Sequence, residues 1–428
     1  MRANASIFII IAGACLLFSS VSARGEDALR SGSIAECDLQ QAIELAVKNN
    51  PELKAMALEL DAADANIQQA GLWANPTLEM ESENFSGDNP GFSRAENRVS
   101  ISQPVVLGGK IKHQKNIATK EKEIARLQYE AAKRDLILKV EETFYEILLA
   151  RKNVDYAMEA QTIAQNLYDF YVKKAAGKEI TPQMLSAEIE LSQTTIEVMN
   201  TSQALESAKK NLAVLWGGAE IVLGECKGDL DRDFKVPDYN EIKKRLLENN
   251  PELQMTALQE EKGDLLLQAA QAERIPDVDV AFGVRRFEED DNYAMVASLA
   301  VPLPLFNRNQ GSIQEALVNQ KKVKEDGNAA KNRLLYELNE VYRTFEASRR
   351  QVDIFKKSIL PKTERYFAET RESYNGGALE YLEVLEAQRT LVDTKKNYVE
   401  LLKSLQSSVA NLARLCSSHF HGSDGEMF

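Results

Sequence analysis

Two carboxylates, Glu383 and Glu386, stand three residues apart in the stretch EYLEVLEAQ. On a helix that spacing brings both side chains to one face, and acidic groups gathered there attract cations and repel anions. A second acidic set, Glu79, Glu81 and Glu83 in TLEMESEN, alternates with Leu78 and Met80. A period of two is the signature of a strand, so the three carboxylates share one side and the apolar pair the other. Both sets also read as ordinary solvated faces, and spacing alone does not choose.

Other chemistry is sparse. There is no HExxH, phosphate loop or CxxC, and LGGK (Leu107–Lys110) lacks the earlier glycine that a phosphate loop needs. His419 and His421 sit in the polar tail SSHFHGSDGEMF (417–428), which reads as a tail and not as a metal site. No catalytic group, cofactor or bound metal is expected, and the chain does not read as an enzyme. A formal charge of −13 argues against a nucleic-acid partner.

The first residues read as an export signal, 1–23. Arg2 gives a positive start, Ile7–Phe18 is an apolar run too short to span a bilayer, and Val21–Ala23 offers a small-residue cleavage site. Lipid attachment at Cys15 is the lesser reading, because that cysteine lies inside the apolar run. Cys37, Cys226 and Cys416 then remain, an odd number at wide spacing, which is neither a disulfide framework nor a metal site. One bridge is allowed in an oxidising compartment, and the sequence does not choose the pair.

The elements that position these residues come in two copies. NNPEL occurs at Asn49–Leu53 and again at Asn249–Leu253, and Gln68, Pro76, Gly177, Leu185 and Leu191 recur 200 positions later. After a short segment 24–37, repeat 1 covers 38–217, a linker covers 218–238, and repeat 2 covers 239–416. Each repeat opens with helix broken before the NNPEL proline, since proline disfavours helix at the preceding residue. A β-hairpin follows, about 77–103 in repeat 1 and 277–301 in repeat 2. Long helical segments come next, with Met184, Leu191, Val198, Leu205 and Leu212 seven apart, and Val384, Leu391, Tyr398, Leu405 and Leu412 likewise. A seven-residue apolar period imposes coiled-coil packing. Pro361 is expected to kink the helix of repeat 2.

The fold class is therefore mainly α with a small β part. It consists of tandem-duplicated long coiled helical hairpins plus four β-strands. Four strands with apolar outer and acidic inner faces cannot close on themselves. Membrane-spanning barrels begin at about 8 strands, and an open edge in lipid leaves backbone groups unpaired at several kcal/mol each. Copies of the chain must share one barrel.

With NNPEL, QAGLWANPTLEMESENF (Gln69–Phe85), SQPVVLGGK (Ser102–Lys110) and VPLPLFNRNQG (Val301–Gly311), the sequence resembles the TolC-type outer-membrane efflux channels. It is most similar to the branch serving heavy-metal cation pumps. The resemblance implies a homotrimer with a 12-stranded β-barrel in outer-membrane lipid, continued by an α-helical barrel through the periplasm. It also implies two partners, a periplasmic adaptor (membrane fusion protein) and an inner-membrane pump of the resistance-nodulation-division type. Drug efflux or protein secretion is the alternative cargo, and a coiled-coil periplasmic adaptor the alternative class.

By residue match, the hairpin tips fall at 174–188 and 374–388. The resemblance makes Gly177, Leu185, Gly376, Gly377 and Leu385 the adaptor-docking positions. It makes Glu383, Glu386 and Tyr374 the periplasmic gate, and it turns Glu79, Glu81 and Glu83 to the barrel lumen. The basic residue that the family pattern carries two positions after the tip glycine is Leu379 here, which leaves the ion-pair part of the gate latch without its cation.

Overall fold

A computed structural model describes residues 33–85, 91–175, 180–218, 222–230 and 236–416. The expected export signal, Gly177 and the tail with His419 and His421 lie outside the described residues. The chain divides into two compact units. The first takes the described residues of Met1–Lys54, Ala131–Asn250 and Leu334–Phe428; the second takes Ala55–Glu130 and Pro251–Arg333.

The first unit begins with β1 (Ser33–Cys37), paired in parallel with β4 (Val222–Cys226). Helix α1 (Leu39–Asn49) starts on a capping box, in which Asp38 accepts from the Gln41 N–H and the Gln41 side chain accepts from the Asp38 N–H. It stops at Asn50, and α2 (Pro51–Ala70) begins at the proline, whose missing N–H costs nothing at a first helical position. The expected break is thus present, and repeat 2 copies it with α5 (Tyr239–Asn249) and α6 (Pro251–Ala272).

NNPEL recurs because its second asparagine ties three helix ends together. The Asn50 N–H donates to Ala46 O, closing α1. Its Oδ1 accepts from the Leu53 N–H at 2.9 Å, capping α2. Its Nδ2 donates at 3.0 Å to Leu215 O, in the last turn of α4 (Pro182–Leu215). In repeat 2, Asn250 Nδ2 donates to Leu415 O at 3.0 Å over the same 165-residue span. Trp216 Nε1 reaches Ala42 O, and Cys416 Sγ faces Ile242 O, again over equal spans of 174 residues. The duplication is therefore one of tertiary contacts as well as of letters.

Helix α3 (Lys110–Ala175) runs without a break. Repeat 2 instead has α7 (Gln310–Ile354), one π-helical turn at Phe355–Ile359, and α8 (Leu360–Asn375). The wide turn stands where Pro361 removes a donor and its ring would meet the carbonyl four residues back. The last helix, α9 (Tyr381–Cys416), buries Val384, Leu391, Tyr398, Leu405 and Leu412, the whole predicted heptad. In α4 only Leu205 and Leu212 of the matching set are buried, while Ile189, Ile196 and Met199 are exposed.

The second unit carries β2 (Thr77–Glu83), β3 (Glu96–Val105), β5 (Val278–Phe287) and β6 (Asn292–Ala300) in one antiparallel sheet ordered β2-β3-β5-β6. The two hairpins meet at the β3–β5 seam, where Val99 stands opposite Val284 and Ser100 opposite Gly283. Below the sheet, Lys110 of LGGK is buried, with its Nζ 2.9 Å from Asp277 and 3.2 Å from Glu273. Its task is to hold the start of α3 to the entry of β5.

Cys37, Cys226 and Cys416 carry no bridge in this structure. No described helix is long and apolar enough to cross a membrane.

Candidate channel site

The sheet has one apolar and one polar face. Met80, Val99, Val284 and Met295 form a row across all four strands, and Leu78, Ile101 and Phe282 form the next. These side chains are exposed, Met80 at 73% and Met295 at 90%. A soluble sheet would bury such a face on a core; one set in hydrocarbon leaves it open. Among the described residues strands β2 and β6 have no further partner in the sheet, so each offers a free row of backbone donors and acceptors.

On the polar face the register aligns Glu79, Ser100 and Gly283, then Glu81, Arg98 and Arg285. Arg98 lies 3.6 Å from Glu81, and Arg285 lies 2.8 Å from Glu96 and 4.0 Å from Glu83. The expectation of an acidic inner face is corrected: Glu81 and Glu83 answer two arginines, and the face is of mixed charge. Arg98 is visible in the sequence, but its opposition to both Glu81 and Arg285 depends on a pairing across 187 residues.

In the first unit the second tip is built by a Schellman motif. The Gly377 N–H bonds Tyr374 O, and the Ala378 N–H bonds Ser373 O. Gly377 has φ of +77°, the left-handed conformation that a Cβ would strain. Glu380 precedes α9, and its N–H donates to Glu383 Oε2 at 2.7 Å. Glu383 thus spends one carboxylate oxygen on its own helix start, at the end where negative charge is favoured. Glu386 is exposed one turn further on, while Val384 and Ala387 beside them are buried.

Tyr374 packs by the core of Phe367, Val384, Ala387 and Leu391. Its hydroxyl is 3.2 Å from that of Tyr171, and its ring meets Phe170 edge-on at 5.7 Å. Sequence reasoning named Tyr374 and missed Phe170 and Tyr171; 200 positions on from these stand Thr370 and Arg371, so the repeat gave no signal.

The two tip leucines are not alike. Leu185 is 48% exposed, whereas Leu385 is 5% exposed. Of the two, only Leu185 presents its side chain on the surface of the chain. Among the described residues no group of three or more His, Cys, Asp or Glu is placed to hold a metal.

An outward apolar sheet with two open edges, followed in each repeat by a long coiled helical hairpin, defines a membrane channel subunit that combines β-barrel and helical parts. The chain belongs to the outer membrane efflux protein family, whose sequence profile matches residues 42–218 and 243–417. The cobalt-zinc-cadmium resistance protein CzcC of Cupriavidus metallidurans is 28% identical over 381 residues, 88% of this chain and 89% of that one. Two solved structures share the fold. CusC matches with a TM-score of 0.73 at 18% identity, covering 89% of this chain and 92% of its own. VceC of Vibrio cholerae matches with 0.72 at 19% identity, covering 90% and 97%. The protein is an efflux channel of the outer membrane that extends into the periplasm, as its family requires.

Proposed function

We propose that three copies of the chain form a passive exit duct for divalent transition-metal cations, fed by a periplasmic adaptor and an inner-membrane resistance-nodulation-division pump. The carrying observation is the pair of open edges on a four-stranded sheet whose outer face is apolar. Joining β6 of one copy to β2 of the next satisfies every edge once a ring closes, and three copies give 12 strands. The unburied stripe Leu185, Ile189, Ile196 and Met199 on α4 leaves apolar surface for a neighbouring copy or the adaptor. Energy comes from the pump, since no phosphate loop is present. The cation cargo rests on the likeness to the cobalt-zinc-cadmium resistance protein.

The test is a deletion strain challenged with cobalt, zinc, cadmium and a panel of drugs. Sensitivity to the metals alone, reversed by the wild-type gene, is the expected result. Sensitivity confined to drugs, or loss of a secreted protein, replaces the cargo.

Glu383 and Glu386 are proposed to line the closed periplasmic end, with Tyr374 and Tyr171 holding the tip through uncharged hydroxyls where Leu379 offers no cation. Three copies would gather six carboxylates, and an acidic ring binds cations. The double variant Glu383→Gln, Glu386→Gln is expected to weaken block of single-channel current by a multivalent cation at least tenfold, with its trimer intact on a gel. Unchanged block would remove both glutamates from the pore. Because glutamine keeps an oxygen for the Glu380 N–H, loss of the cap is not confounded with loss of charge.

A further inference from the structure

We infer that Cys37 and Cys226 are joined by a disulfide in the exported protein, stapling the N-terminal strand to the linker between the repeats. The two residues are direct register partners in the parallel β1–β4 pair. Paired strands run about 4.8 Å apart, inside the about 4.4–6.8 Å between Cα atoms that a disulfide spans. The Lys227 N–H bonds Cys37 O at 3.0 Å, and Lys227 Nζ lies 2.7 Å from Glu36. Both contacts lock this register beside the cysteines. Cys37 belongs to the core formed with Phe144, Leu212 and Trp216, and Cys226 packs against it.

The third thiol is committed elsewhere. Cys416 closes α9, with its Sγ 3.8 Å from Ile242 O of α5. Spacing could not make this choice; strand register does.

Formation is a two-electron oxidation. A thiolate of one cysteine attacks the disulfide of a periplasmic thiol–disulfide oxidant, giving a mixed disulfide. The second cysteine displaces the oxidant's sulfur, and the oxidant leaves as a dithiol with both electrons and both protons. In the folded chain burial pushes the Cys37 thiol up to about 12 and the Cys226 thiol to about 11. Exchange needs thiolate, so the bond must form before β1 is fully docked and is then shielded from reductant.

The experiment uses the wild-type protein taken from cell envelopes. It is denatured in the presence of a first alkylating reagent, then reduced and labelled with a second, and its peptides are weighed. Cys37 and Cys226 should carry the second label and Cys416 the first. In a Cys226→Ser variant, Cys37 should switch to the first label and the reduction-sensitive gel shift should vanish. First label on both Cys37 and Cys226 in the wild type overturns the inference, as does a peptide linking either one to Cys416. Reductant added to folded protein should leave the bond intact over the time in which it opens the bond of denatured protein at once.

Discussion

Replacing Gly283 by alanine is expected to abolish assembly of the channel. A Cβ at this position would come 2.4 Å from Val99 O and 2.6 Å from Ser100 Cβ. Contacts that short against backbone have no soft side chain to move, so β3 and β5 must part. They form the seam between the two hairpins, and its opening leaves two separate two-stranded ribbons, which are marginal by themselves. Overpacking of a well-packed site costs about 1–3 kcal/mol, and a backbone clash at a seam belongs at or beyond the upper end. The measurement is the amount of heat-modifiable oligomer in outer-membrane fractions, expected to fall below a tenth of wild type. Adding Ser100→Gly should restore only part of it, because the Val99 carbonyl still stands in the way. A Gly283→Ala protein that assembles at wild-type levels would show that the seam is looser than the register implies.

The sequence made this sheet legible as far as each strand, because period two and polar turns are local signals. It did not make the seam legible. Which residues of β3 oppose which of β5 is set by tertiary pairing, and for that reason Arg98 and Arg285 were not expected beside Glu81 and Glu83. The helices tell a similar story. The heptads of α4 and α9 share their spacing and three of their five residues, yet the α9 set is buried throughout while Met184, Leu191 and Val198 of α4 are only half-buried. Burial depends on what lies opposite, and the repeat records only what lies along the chain. The burial of Leu385, against the exposure of Leu185, follows from the same cause. Tyr374 was assigned by residue match, but its partner Tyr171 comes from the other repeat and has no counterpart at the duplicated position. The recurrence of NNPEL is plain in the sequence, but its cause lies in the long-range bonds of its asparagines.

Those bonds carry the second large expectation. Asn50→Ala removes two side-chain bonds at a residue only 8% exposed. The Leu53 N–H loses its cap, at about 1 kcal/mol. The Leu215 carbonyl loses its donor, and a buried polar group left unsatisfied costs about 1–3 kcal/mol. A small cavity adds to this. The Leu415 tether at Asn250, 5% exposed, is equivalent, so the Asn50 variant should lose about 2–4 kcal/mol and the Asn250 variant about 1–3 kcal/mol through its tether. The two asparagines share no partner in these bonds, and the double variant should lose close to the sum. Asn50→Asp separates the contributions. Its carboxylate still caps α2 and suits that helix's positive end, but it has no N–H for Leu215 O and sets a negative charge against that carbonyl. It should therefore fall near the alanine variant in denaturant midpoint, whereas a cap-dominated site would leave it near wild type. If Asn50→Asp unfolds with the wild-type midpoint, the tether to α4 is idle and the recurrence of NNPEL reduces to helix capping alone.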